Sequence, residues 1–483
     1  NRMIEGAPVN VKDYGAVGDG VTDDITAFNL ATAYASITSS TLIVPAGIYG
    51  ISSSWNLLSN IKVQCAGTIK FLAGASGGHV VGIYNASTSL SNINWEGGTV
   101  DANNVAGQNA FGVGGFFGAV TGAKVSNVTC KNAQWDNSIF GGKGFTVQHD
   151  CFDIQVSNIR IEDCSIGLSV ESTNLKSVNN VNIGNVIVDN CDKFGFYGVY
   201  SYVGGIEDPD KLSCIVTNIT LNNCADSYTN QGVINLDRMN GLIMNDVFIR
   251  SSARVAPLRG TATNSSITFH VDAPEIEDIV NLDSSGGIPV GDVNLVPSNL
   301  IITATARAST QIYGELITFD ATKVPINCRF DIRYETPTGP TVGLFTTGMN
   351  NTSTYKIQDV VTGKIIEGSC DNDPSFSSQY YKQFYDTQVI ASSLLVQDAG
   401  SETRLQPLKG ELKLKDNSGG TRLITSTTGV IVDGAVQINV SGPQIYSGTG
   451  IPSFSAIDGS IFMRTDGGAN SLYIRESGAW VAK

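Results

Sequence analysis

One short phrase recurs six times between Leu90 and Ser252: apolar, spacer, Asn or Asp, apolar, any, apolar, polar, any, small. Its anchors are Asn92, Asn127, Asn158, Asn185, Asn218 and Asp246. They stand about 27 to 35 residues apart, the period of a solenoid in which each repeat is one turn of a coil. Two before each anchor lie Leu90, Val125, Val156, Ile183, Val216 and Met244, and one after lie Ile93, Val128, Ile159, Val186, Ile219 and Val247, all apolar. A straight strand alternates its faces, so positions three apart cannot both point inward. The chain must bend at the anchor, where Asn and Asp tolerate a left-handed backbone. Six after the anchors come Gly98, Ala133, Cys164, Cys191, Cys224 and Ser252, small residues suited to a second corner. Four after come Glu96, Lys131, Glu162, Asp189, Asn222 and Arg250, which read as an outward, solvated ladder of mixed charge.

A chain of 483 residues with 41% hydrophobic content exceeds one ordinary compact domain, so two or three are expected. With 53 glycines and only 15% charged residues the composition is that of turns and strands. The net charge of −14 and the lack of any basic run argue against nucleic acid and anionic membrane surfaces as partners. No stretch approaches a membrane-spanning length, and Asn1-Arg2-Met3-Ile4-Glu5 has no secretory pattern. Nine cysteines, an odd number without a C-x-x-C pair, read as buried thiols; no metal and no cofactor is expected.

Residues 9–50 are the most specific stretch. Asp23 or Asp24 can cap a helix whose Ile25, Phe28, Ala31 and Ala35 share one face and plug the first turn of the coil. Thr41-Leu42-Ile43-Val44 then reads as a buried strand and Pro45-Ala46-Gly47 as the turn that starts the winding. The run Asp13-Tyr14-Gly15-Ala16-Val17-Gly18-Asp19-Gly20-Val21-Thr22-Asp23-Asp24, with Val44-Pro45-Ala46-Gly47-Ile48-Tyr49, resembles the N-terminal signature of the pectate-lyase-like superfamily, bacteriophage tailspikes in particular. The resemblance covers about a tenth of the chain. It implies an all-β, right-handed parallel β-helix with an N-terminal capping helix, a homotrimer that binds and cleaves a bacterial surface polysaccharide (capsule, exopolysaccharide or O-antigen). It also implies a virion location, acting outside the bacterial cell, with attachment to the phage tail or baseplate through a segment upstream of Asn1.

Beyond about residue 260 the phrase fades into short strands between turn clusters. The expected organisation is a cap over 1–40, a parallel β-helix over 41–270, a β-sandwich-like domain over 271–396 and a β-rich tip over 397–483. In the tip, Asp458 to Gly468 followed by Ser471 to Trp480 reads as a hairpin. It resembles the C-terminal tips of phage tail proteins, which implies trimerisation.

Hydrolysis of a glycosidic bond takes two carboxyl groups, about 5 Å apart for retention or about 6.5 to 9.5 Å for inversion. A second column of strands, at 144–149, 167–171, 195–200 and 232–237, sets His149, Glu171, Tyr200, Asp237 and Arg238 on one outer face. Glu171 and Asp237, two turns apart, suit an inverting hydrolase, one as acid and the other as base to water. His149 with Asp150 is a further candidate, because a neighbouring carboxylate sets imidazole protonation. Trp135, Phe140, Tyr197, Tyr200 and Tyr202 are candidate sugar platforms, and Glu207, Asp208 and Asp210 accept sugar hydroxyls, with catalysis or calcium binding as their alternatives. Three competing functions stay open. A lyase would use His149, Tyr200 or Lys143 as base with Arg238 against a uronate carboxylate. An esterase has no G-x-S-x-G elbow. A non-catalytic adhesin would use the same face only to grip glycan.

Overall fold

A computed structural model describes residues 7–84, 88–114, 118–136, 141–172, 177–200, 213–225, 232–282, 296–314, 316–319, 325–337, 353–361, 363, 365–369, 412–415, 421–426, 429–432, 436–437, 443–466 and 471–483, with backbone alone at Tyr200, 366–369 and 412–437. Two compact units divide the chain, Asn1–Thr387 and Gln388–Lys483.

The first unit is a parallel β-helix. Strands Thr41–Val44, Ile61–Cys65, Leu90–Glu96, Val120–Ser126, Cys151–Glu162, Val178–Asp189, Cys214–Asn222 and Leu242–Arg250 stack in parallel as successive rungs. Corner geometry follows the sequence logic: Asn127, Asn158, Asn185, Asn218 and Asp246 all have φ between 53° and 60°. Their amides form a ladder in which Asn158 Nδ2 donates to Asn127 Oδ1 at 3.1 Å, Asn185 to Asn158 at 3.1 Å and Asn218 to Asn185 at 2.7 Å. Residues two before and one after are buried, as Ile183 and Val186 illustrate. A second ladder five residues on carries Asn132, Asp163, Asn190 and Asn223, again left-handed; Asn190 Nδ2 donates to Asp163 Oδ1 at 3.2 Å. The small residues beyond it, Ala133, Cys164, Cys191 and Cys224, are buried. Among the described residues eight cysteines are free and buried, and burial pushes thiols such as Cys164 and Cys214 up to about 12.

Asn92 is a correction. Val125 pairs with Trp95 and Ser126 with Glu96, so Gly97, not Asn92, stands in line with Asn127. Asn92 belongs to an earlier corner column, where its amide donates to Asn60 Oδ1 at 3.2 Å. Both residues are left-handed. The phrase matched there because two corner columns five residues apart satisfy the same apolar pattern.

The helix Ile25–Thr38 caps the coil with Phe28, Ala31 and Ala35 buried. Phe28 begins an aromatic spine along the coil: its ring meets Trp55 edge-on at 4.6 Å, Trp55 meets Trp95 at 5.5 Å, Trp95 meets Phe111 at 5.2 Å, and Phe111 stacks on Phe145 at 5.3 Å. Each such ring contributes about 1.5 to 3 kcal/mol through burial alone. Trp55 Nε1 donates to Thr32 Oγ1 at 2.8 Å, which pins the helix to the strand Ile48–Asn56. The two candidate caps divide the work. Asp23 accepts from Ile25 N–H at 3.2 Å, while Asp24 turns back to accept from Val17 and Gly18 N–H at 2.6 and 3.1 Å, closing the glycine-rich loop.

The β-sandwich expected from residue 271 is replaced by more coil. Ser266–Ile276, Ile301–Ile312, Arg329–Glu335 and Thr354–Asp359 continue the parallel stack, and Ile365–Ser369 closes it antiparallel. The repeat phrase fades because the corner is deleted: between Met244/Ile267 and Val247/Phe269 the register loses one residue, and later rungs run straight. Ile301–Ile312 accordingly alternates buried and exposed from Ile301 to Ala308 without a phase change. A new amide ladder, Asn299 to Asn264 to Asn240, takes over at another edge with both bonds 2.9 Å long. The segment 389–396 lies outside the described residues.

In the second unit Leu412–Lys415, Thr421–Ser426 and Gly429–Val432 form an antiparallel sheet. Ile461–Arg464 pairs antiparallel with Leu472–Glu476, the expected hairpin, and Leu472–Glu476 pairs with Ala479–Ala482. Tyr446, Phe454, Phe462 and Trp480 pack together between these strands.

Candidate functional site

A third column of parallel strands forms the wall that carries the predicted residues: the end of Thr68–Ile83, then Asn109–Val113, Lys143–Gln148, Ile166–Ser172, Phe194–Tyr200, Ile234–Asn240 and Leu258–Thr263. Phe145, Leu168, Phe196 and Ile234 point into the core, so the alternate positions face out. Outward columns run Thr146, Ser169, Tyr197, Asn235, Arg259 and Gln148, Glu171, Val199, Asp237. Glu171 and Asp237 therefore share one register two rungs apart, about 9.6 Å at the ~4.8 Å strand spacing.

Their surroundings differ. Glu171 is ion-paired to Lys143, Nζ to Oε1 2.6 Å, with the two side chains only 10% and 1% exposed. Lys143 reaches it diagonally from the strand edge, where its N–H is held by Asn109 Oδ1 at 2.9 Å. Lys143, weighed as a lyase base, is thus the partner of the carboxylate. Asp237 is 24% exposed and held by Arg238, Nε to Oδ1 at 2.9 Å and Nη2 to Oδ2 at 3.2 Å. Burial raises its carboxyl above the ordinary aspartate range, with Arg238 opposing. Arg238 sits in a left-handed backbone position, φ 56°, next to a break in register that aims residues 237 and 238 to the same side.

Val199 lies between the two acids in register, and Tyr197 is the next outward residue on the same rung. Its ring stacks on Phe194 at 5.1 Å and is buried in a small outer cluster with Ile166 and Val199. Burial, then Glu171 and Asp237, push its hydroxyl well up, and Arg238 pulls it down. Tyr197 is a packed floor rather than an open shelf. Ser169 Oγ donates to Thr146 Oγ1 at 2.7 Å beside it. Trp135 stands at the turn entering this sheet, its N–H donating to Ser165 Oγ at 3.1 Å. The buried ammonium of Lys193 covers one face of its ring, a face therefore closed to sugar; burial lowers that ammonium to about 8.

His149 and Asp150 occupy the turn that leaves the wall. His149 is left-handed, φ 61°, and its N–H donates to Glu171 O at 2.7 Å. Asp150 Oδ1 accepts from Ser177 N–H at 2.9 Å, tying successive turns together. Tyr200 pairs with Ser172 by register. Tyr202, Glu207, Asp208, Asp210 and Phe140 lie outside the described residues. No three His, Cys, Asp or Glu side chains gather around a metal-sized point among the described residues.

Two wall residues escaped the sequence reading. His79 sits at the wall's first rung, its ring packed against Gly112, which has no side chain to displace it. Burial first, then Lys143, lower its imidazole to about 4, with Glu171 opposing and His149 adding to the fall. Arg259 follows Asn235 in the outward column. The scarcity of histidine is a signal that could have found His79; nothing local marks Arg259, whose register with Asn235 is invisible without the fold.

Residues 8–114 match the family model described as rhamnogalacturonase A/epimerase, pectate lyase-like. The pre-neck appendage protein of Bacillus phage phi29 is 39% identical over 114 residues, 22% of this chain and 13% of that protein. That of Bacillus phage B103 is 38% identical over 113 residues, with the same coverage. The chain thus matches only about an eighth of the length of these relatives. Among solved structures, ORF18 of Geobacillus virus E2 aligns with 99% of this chain and 86% of its own at 13% identity and a TM-score of 0.46. An exopolygalacturonase from Thermotoga maritima aligns with 76% of this chain and 96% of its own at 14% identity and a TM-score of 0.37.

Proposed function

We propose that this chain is a bacteriophage tailspike depolymerase, which binds a bacterial surface polysaccharide along the outer wall of its β-helix and hydrolyses it. The observation that carries this reading is the in-register pair of Glu171 and Asp237 in contrasting environments. Asp237, raised by burial, stays protonated to higher pH than an ordinary aspartate and serves as the general acid on the leaving oxygen. Glu171, held by Lys143, is the carboxylate that takes a proton from water. Two rungs leave room for that water, which favours inversion at the anomeric carbon. The match to phage appendage proteins supports a virion protein, and action at the outside of the host cell belongs to the same proposal. A homotrimer attached to the tail or baseplate is part of the same proposal.

The test is incubation with surface polysaccharides purified from a panel of bacteria, read by size-exclusion chromatography and product mass. Shortened chains each heavier by one water are expected, with Glu171→Gln and Asp237→Asn losing more than about a hundredfold in turnover while binding is kept. Products absorbing in the near ultraviolet would replace hydrolysis by β-elimination. Retained binding with unchanged polymer length would replace it by adhesion alone.

A further inference from the structure

The wall strand Ile234–Asn240 carries one residue too many. Leu236 pairs with Gly260 and Met239 with Ala262, so Asp237 and Arg238 stand together opposite Thr261, a β-bulge toward the following rung. Toward the preceding rung the register is intact, with Asp237 opposite Val199. Leu236 and Met239 are both buried in the core, and the two residues between them both turn to the wall. In a regular strand they would face opposite sides, and Arg238 would enter the core. The extra residue is what lets these sequence neighbours meet, Nε to Oδ1 at 2.9 Å and Nη2 to Oδ2 at 3.2 Å.

The bulge is built from the strand Leu258–Thr263 beside it. Gly260 has φ 109°, and a Cβ there would run into the Leu236 carbonyl oxygen, so the close approach needs glycine. The extra residue of a bulge falls out of the hydrogen-bond ladder, and a buried N–H without an acceptor is costly. Thr261, 2% exposed, supplies the acceptor, its Oγ1 taking the Arg238 N–H at 3.3 Å. Arg238 itself is left-handed, φ 56°, a conformation that a residue with a Cβ holds against a steric cost.

We infer that Thr261, seated by Gly260, is a positioning residue: its hydroxyl fixes the bulge that turns Arg238 onto Asp237, and so sets how firmly that carboxyl is clamped. This rests on the proposed hydrolase, in which Asp237 is the acid, and adds a residue that acts only through Arg238. The charged and titratable groups about Asp237 among the described residues are Arg238 on its own strand, Tyr197 and beyond it Glu171 with Lys143 on the preceding rungs, and Arg259 on the following one. Burial raises the Asp237 carboxyl and Arg238 opposes. Loosening Arg238 therefore raises it further, and the limb on which turnover falls as Asp237 loses its proton moves to higher pH.

The experiment compares Thr261→Val, which removes the acceptor at nearly constant shape, with Thr261→Ser, which keeps it, and with Arg238→Met as the reference for a lost clamp. In the pH profile of polysaccharide turnover, Thr261→Val should move that limb upward, in the direction of Arg238→Met and by less. It should also lower kcat by about tenfold with KM within about twofold, and Thr261→Ser should recover the parent's limb and most of its kcat. A Thr261→Val protein with the parent's limb, or a Thr261→Ser protein as impaired as Thr261→Val, overturns the positioning role. The same carboxyl is read without turnover by following, against pH, the unfolding free energy of the parent minus that of Asp237→Asn. For a carboxyl raised on folding, the stability it contributes is full at low pH and is lost as pH rises through the folded-state value. In the Thr261→Val background that loss should come at higher pH, and an unmoved curve overturns the positioning role as well. A parent that shortens no polymer would remove the hydrolase reading, while the stability curve still decides on the bulge. Should Thr261→Val and Thr261→Ala both fail to fold while Thr261→Ser folds, the hydroxyl serves folding alone, which overturns the role assigned to it.

Discussion

Replacing Lys143 by Met removes one half of an ion pair whose members are 1% and 10% exposed and 2.6 Å apart. With only 10% of its side chain exposed, Glu171 is left as a largely uncompensated charge beside Tyr197. Breaking a buried pair from one side costs about 3 to 5 kcal/mol, whereas replacing both members with apolar groups of similar volume is close to neutral. Lys143→Met and Glu171→Met should therefore each destabilise by about 3 to 5 kcal/mol. The double variant should return to within about 1 kcal/mol of the parent, a coupling of at least about 3 kcal/mol. Trp55 and Trp95, both buried along the coil, report the loss of packing by fluorescence in a guanidinium titration at pH 7 and fixed protein concentration. A cost below about 1 kcal/mol for Lys143→Met, or a double variant no more stable than the singles, would refute the view that this pair is largely desolvated. Lys143 would then not be what holds the Glu171 carboxylate in place.

At the corner, Asn158→Gly and Asn158→Ala both delete the two ladder bonds, yet only Ala is strained at φ 56°, so Ala should be the less stable by about 1 to 2 kcal/mol in the same titration. Equal stability would mean that the corner does not need left-handed backbone. His79 has an imidazole lowered from 6.5 to about 4, so between those values the unfolded chain binds a proton that the folded one does not. Stability from this group is full above pH 6.5 and is lost as pH falls toward 4. Between pH 7 and pH 4.5 the parent should lose about 2 kcal/mol more than His79→Gln, and parallel pH profiles would contradict the buried neutral ring.

Much of the coil was legible from residues alone because a corner is a local event. Asn or Asp at positive φ, flanked by apolar residues three apart, is dictated by backbone sterics and by the need to bury both neighbours. The cap was legible for the same reason, since Phe28, Ala31 and Ala35 repeat at helical spacing. Where the local signal is degenerate it misleads: Asn92 satisfies the phrase from a different corner than the one Gly97 occupies. Where the signal stops while the structure continues, the reading ended too early. After Asp246 one corner residue disappears, and rungs such as Ile301–Ile312 look like strands of any β domain. Glu171 and Asp237 were placed two turns apart from glycine-led strand starts, and the register agrees.

The amino-acid sequence by itself determined that the chain winds, where it bends and what closes its first turn, since each is settled by interactions within a few residues. Only the tertiary structure decided which side chains meet across rungs. Lys143 finds Glu171 from 28 positions away, His79 settles over Gly112, and Arg259 lands opposite Asn235. The physical reason is the stacking itself. Strand pairing brings residues a full turn apart to about 4.8 Å, and turn lengths vary with the loops, so register, and with it the chemistry of the wall, is a property of the wound coil rather than of any one turn.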